Sequence, residues 1–100
     1  MLKHIVMWKL KEEAEGRSKK DNAAEMKKRL EALKGSIQEI VELEVGLQFE
    51  PAEAAYDVVL YSVFKDKSGL GSYQKHPEHQ KIVEFVKRIV LDRKVVDYEV

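Results

Sequence analysis

The chain is 100 residues long, with 18 Lys and Arg balanced by 18 Asp and Glu, three His and no Cys. That length allows one domain, residues 1–100, with a single small core that buries about two-thirds of the unfolded surface, so association with a partner is expected. Neutral charge without a basic run interleaved with aromatics argues against nucleic acid and acidic membrane as partners; the lack of cysteine removes disulfides, thiolate zinc sites and thiol catalysis; and the first apolar run, broken by Lys3 and Lys9, is too short and charged for a signal peptide or membrane span, leaving a cytoplasmic protein as the default.

Residues 2–10 alternate and are rich in strand formers, which predicts a first strand. The charged stretch from Lys9 to Lys20 reads as a solvated connection leading into a helix over residues 18–34, whose apolar positions Ala23, Met26, Leu30 and Leu33 recur at helical spacing. Ser18 and Asp21 form a capping pair at its start, and Gly35 is placed to end it in a left-handed conformation. Residues 40–49 put Val41, Leu43, Val45, Leu47 and Phe49 on one face and Glu42, Glu44, Gly46 and Gln48 on the other, as in a half-buried strand. Pro51 begins a break, residues 56–64 read as a third strand, and a Gly69/Gly71 segment follows. Pro77, tolerated in a first helical turn, opens a helix to about Val90, and a last strand runs from about Lys94 to Val100.

The order βαββαβ predicts an α+β, ferredoxin-like fold: a four-stranded antiparallel sheet with its first and third strands central and both helices on one side. Two strands are apolar on both faces. Leu2, His4, Val6, Trp8 and Leu10 share one side of the first, yet Ile5 and Met7 occupy the other; in the third, Val59, Tyr61 and Val63 oppose Tyr56, Val58, Leu60, Ser62 and Phe64. Helices cover only one side, so the face carrying Ile5, Met7, Val59, Tyr61 and Val63 is expected to join two copies into a homodimer by sheet-to-sheet packing, closing an α/β barrel.

Chemistry concentrates in Tyr73-Gln74-Lys75-His76-Pro77-Glu78-His79, which holds two of the three histidines. With His79 near the third helical position, Ile82, Val83, Val86, Ile89 and Val90 lie on or beside its stripe, so the imidazole faces the core. Apolar neighbours and the helix N-terminus disfavour the imidazolium, which predicts a neutral ring able to accept a proton. Tyr73 and His4 are expected to converge on it, with Val6, Trp8, Leu60, Ser62 and Ile82 as pocket walls and Leu70 as a lid. On spacing alone, a structural hydrogen-bonding role is the simpler reading of His79, and His76 reads as a helix cap or surface residue. His4, His76 and His79 make a metal site conceivable, but no carboxylate of the right phase strengthens it, and neither metal nor cofactor is expected.

The opening at 1–11, Leu43–Leu47, Tyr56–Phe64, the Tyr-x-x-His-Pro-x-His segment at 73–79 and Val95–Val100 together resemble the stress-responsive dimeric α/β-barrel family, Dabb, over nearly the whole chain. The resemblance implies a ferredoxin-like subunit that dimerises through its sheet. A plant polyketide cyclase of that family implies roles for three residues: His79 as general base for an intramolecular aldol condensation, Tyr73 as its phenol partner, and His4 as the first-strand histidine. Residues 18–34 contain no aromatic, unlike that cyclase. The expected function is therefore a homodimeric stress-responsive barrel that binds a small apolar or aromatic ligand between sheet and helices. The alternative is a cofactor-independent cyclase, aldol-type or isomerase enzyme using the His79/Tyr73 pair; haem handling rests on fold analogy alone.

Overall fold

A computed structural model describes residues 1–100 as β1 (Leu2–Leu10), β2 (Glu13–Ala14), β3 (Arg17–Ser18), α1 (Lys19–Ser36), β4 (Ile40–Leu47), β5 (Val58–Phe64), α2 (Lys67–Lys75), α3 (Pro77–Ile89) and β6 (Val90–Glu99). β1 and β5 are central, as the alternation on both of their faces predicts: the sheet order is β4-β5-β1-β6, antiparallel throughout. The helices cover one face. Met26, Leu30 and Leu33 of α1 and Ile82, Phe85, Val86 and Ile89 of α3 interlock with Leu2, Val6, Trp8 and Leu10 of β1 in one core, and Arg29 lies over the Phe85 ring at 4.1 Å.

The charged connection is structured. Glu15 and Gly16 both have positive φ, 54° and 72°, forming a two-residue turn between β2 and β3 whose twist suits a hairpin. Asn22 secures it, its Nδ2 donating to the Ala14 carbonyl at 3.0 Å, and Glu15 pairs with Arg88 at 2.6 Å. Ser18 caps α1 as expected, accepting from the Asp21 N–H at 3.2 Å. Gly35, however, remains helical, and α1 ends at Ile37 in an extended conformation, its N–H donating to the Leu33 carbonyl. The expected left-handed stop is absent because burial of Ile37 fixes the exit direction.

β4 departs from simple alternation. A register shift between Ile40 and Glu42 leaves Val41 as an extra residue, so Ile40 joins Leu43 and Val45 inside while Val41 turns outward. Phe49, expected on the inward face, lies beyond the strand and is 93 % exposed. β5 begins at Val58; Tyr56 precedes it and its hydroxyl donates to Asp92.

Two further differences shape the site. The Gly69/Gly71 segment is helix α2, begun by Asp66, whose carboxylate accepts from the Gly69 N–H at 2.9 Å. Burial of Leu70 and Tyr73 overrides the roughly 1 kcal/mol per glycine that disfavours a helix there. β6 starts at Val90, directly where α3 ends, rather than near Lys94. Leu91 is the extra residue of a bulge opposite Lys9/Leu10 and points outward.

The sheet's other face carries no helix. Ile5, Val59 and Tyr61 are half-buried and Met7, Val96 and Tyr98 exposed, while Val63 is buried. Lys3 lies over the Tyr61 ring and Lys9 over that of Tyr56. No helix is long and apolar enough to cross a membrane.

Candidate functional site

α2 and α3 meet the sheet around a cavity of about 240 Å³. Its lining includes His4, Val6, Trp8 and Leu60 from the sheet, Tyr73 from α2, and His79, Ile82, Val83 and Val86 from α3. Thus the structure brings together His4, Tyr73, His79 and four of the six wall residues expected from sequence. Ser62 and Leu70 are the exceptions. Ser62 is fully buried and its Oγ donates to the His4 carbonyl at 2.8 Å, so its hydroxyl serves the strand pair. Leu70, expected as a lid, belongs to helix α2, where it packs into the core and does not line the cavity.

His76 positions the rest. It ends α2 and begins α3, its N–H donating to the Tyr73 carbonyl at 3.2 Å and its Nδ1 accepting from the Glu78 N–H at 3.1 Å. This double role turns the chain sharply, with Pro77 in the first turn of α3, and brings His79 back over Tyr73, ring centroids 4.4 Å apart. Tyr73 in turn packs on Phe64 at 4.9 Å, and His4 meets Tyr73 edge-on at 6.3 Å.

The three polar rings differ in their surroundings. The Nδ1–H of His79 donates to the Gln74 carbonyl at 3.2 Å, which in the neutral ring leaves the lone pair on Nε2. Burial lowers its pKa from 6.5, the Gln74 bond partly opposes this, and the positive charge of Arg93 adds to the lowering. His79 is therefore neutral at pH 7. The Tyr73 side chain is completely buried and its hydroxyl has no hydrogen-bond partner; burial pushes its pKa far above 10.0, so it is a persistent O–H donor. His4, buried, faces Asp97 across the β1–β6 pair, and its Nδ1 is bonded to that carboxylate. The carboxylate fixes the tautomer and ring direction of His4.

Sequence reasoning missed Asp97, and also Arg93, Lys87 and the place of Leu30, all but Asp97 at the cavity itself. Alternation along β6 puts 93, 95 and 97 on one face, but only the register, His4 opposite Asp97 and Trp8 opposite Arg93, shows that this face is the cavity's. Metal-binding groups of three or more His, Cys, Asp or Glu side chains are not assembled; His76 and His4 are committed to the cap and to Asp97.

Residues 2–100 match the family model described as the stress responsive A/B barrel domain, Dabb. A dimeric protein of unknown function with a ferredoxin-like fold from Bacteroides fragilis is 33 % identical, with a TM-score of 0.88, covering 99 % of this chain and 95 % of that one. A dimeric ferredoxin-like protein from Jannaschia sp. CCS1 is 30 % identical (TM-score 0.74; 99 % and 98 % covered), and a Dabb family protein from Mesorhizobium loti is 25 % identical (TM-score 0.67; 98 % and 94 %). Among curated proteins, none matches.

Proposed function

Because the chain belongs to the stress responsive A/B barrel domain family, we propose that it acts as a homodimer joined through the bare face of its sheet, each subunit holding a small apolar or aromatic ligand between sheet and helices. The observation that carries the ligand reading is Tyr73, which lines a largely apolar cavity and whose hydroxyl is buried and unpartnered. A buried polar group without a partner is costly, and a ligand acceptor such as a carbonyl oxygen relieves that cost. Sheet pairing is supported by the apolar side chains of Ile5, Met7, Val59, Tyr61 and Val63 on the helix-free face and by the dimeric state of the B. fragilis and Jannaschia proteins.

The test uses acetophenone, an aromatic ring with one carbonyl acceptor, titrated calorimetrically. Saturable binding weakened about tenfold in Tyr73→Phe is expected, the worth of one buried hydrogen bond. Absence of saturable binding, or equal affinity in the variant, removes Tyr73 as the anchor. Sedimentation across micromolar concentrations should give a dimer; a monomer throughout refutes the sheet-face pairing.

A second reading, cofactor-independent proton abstraction, is favoured by the neutral His79, its Nε2 free, whose ring packs against that of Tyr73, a donor that stays protonated. Nε2 removes a proton alpha to a carbonyl, and Tyr73 O–H donates to the oxyanion that forms, the first step of an aldol, cyclisation or isomerisation reaction. Deuterium exchange into 2,4-pentanedione followed by NMR should be accelerated, and His79→Ala should abolish the acceleration; exchange unchanged by both His79→Ala and Tyr73→Phe rules out catalysis at this pair.

A further inference from the structure

The cavity's ionised lining is of one sign. In a chain with no net charge, Arg93 and Lys87 are its charged residues and both are cations. Lys87 also pairs with Glu84 at 3.5 Å on the solvent side of α3. Arg93, opposite Trp8 on β6, has no carboxylate within ion-pair distance; of the acids on its own strand, Asp92 bonds Tyr56 and Lys94, Asp97 bonds His4 and Glu99 pairs with Lys67. A guanidinium is a planar fork of donors suited to a carboxylate, and Arg93 presents one in the lining of a largely apolar cavity.

We infer that the ligand is a small apolar acid, its carboxylate held by Arg93 at the cavity mouth and its aryl or alkyl body running inward between β1 and α3. The inference rests on the cavity being a ligand site and adds the charge of what it takes. The inner end of such a ligand meets Tyr73, so an acid that also carries a carbonyl or hydroxyl at the far end engages both polar anchors. Arg93 selects the head group, and the Val6, Ile82 and Val86 walls select the body.

The chain's single tryptophan lines the cavity, so its fluorescence reports occupancy. The full-length protein is titrated with 3-phenylpropanoate and with its neutral isostere 3-phenylpropanamide. The acid should bind at least about tenfold more tightly, as a charge-assisted hydrogen bond predicts, and the preference should shrink with added salt because Arg93 is exposed. Arg93→Gln should bring the two affinities together, chiefly by weakening that for the acid, and Arg93→Lys should keep part of the preference. Equal affinities in the unaltered protein, or a preference that survives Arg93→Gln, overturns the anionic assignment and leaves the cavity reading standing. If neither compound nor octanoate gives a saturable response, both fall. The acid–amide comparison in the unaltered protein decides the matter even if Arg93→Gln does not fold.

Discussion

Tyr73→Phe should make the empty protein more stable. The Tyr73 ring is fully enclosed, packed against Phe64 and His79, and its hydroxyl oxygen has neither solvent contact nor a hydrogen-bond partner. Leaving such a group unpaired costs about 1–3 kcal/mol. Phenylalanine keeps the ring volume and its stacking, so the substitution removes the cost without opening a void, and a gain of about 1 kcal/mol is expected. For a domain of this length that corresponds to roughly 4–8 °C in Tm. Urea unfolding monitored by circular dichroism measures it, with both proteins at one concentration because association contributes to stability. The midpoint should rise at unchanged slope, and saturating acetophenone should reverse the order of the two proteins by supplying the missing acceptor. A loss of about 1 kcal/mol or more in the empty protein would refute the reasoning, since it would mean that the hydroxyl has a partner.

Three other outcomes are expected. His79, whose folded pKa lies below its unfolded value of 6.5 chiefly through burial, binds fewer protons folded than unfolded. Its contribution to stability is therefore complete above pH 6.5 and declines as pH falls from there through the lowered folded pKa; His79→Gln should flatten that part of the stability–pH curve, and an unchanged slope contradicts the assignment. Ile5→Glu, between Tyr61 and Val96 on the bare face, would remove an apolar side chain from each half of the proposed two-fold interface and should weaken dimerisation by about a hundredfold or more in sedimentation equilibrium with the circular dichroism spectrum retained. Asp66→Ala deletes the cap of α2 and should cost about 1 kcal/mol, with hydrogen exchange accelerated in the first turn of that helix; protection equal to the parent's shows the cap to be dispensable.

The strand alternation made both the central strands and the uncovered sheet face legible, because those depend on which residues are apolar and at what period. The His-Pro helix was likewise legible from Pro77 and the stripe beyond it. What escaped prediction depends on partners far along the chain. α2 carries two glycines that argue for a loop, and only the burial of Leu70 and Tyr73 against the sheet makes it a helix. The Glu15-Gly16 turn offered one favourable residue, while Glu15 supplies the other positive φ against its own preference. Bulges at Val41 and Leu91 shift faces by one residue, which no period-two pattern registers. For the site, His4, Tyr73 and His79 were identifiable by type and phase. Asp97 and Arg93 were not, because an acid and a base on an edge strand read as solvent-facing until the register sets them beside His4 and Trp8.

The uninterrupted passage from α3 into β6 has a consequence for how this cavity can diversify. Six of the 13 lining residues, Ile82, Val83, Val86, Lys87, Val90 and Arg93, fall within a single short stretch of chain, while His4, Tyr73 and His79 lie outside it. Substitutions confined to that stretch can reshape the cavity and change its charge without replacing the imidazoles or the phenol. On the proposed reading, the walls and the charge of the cavity belong to one piece of sequence and its histidines and phenol to others, so the two can vary separately.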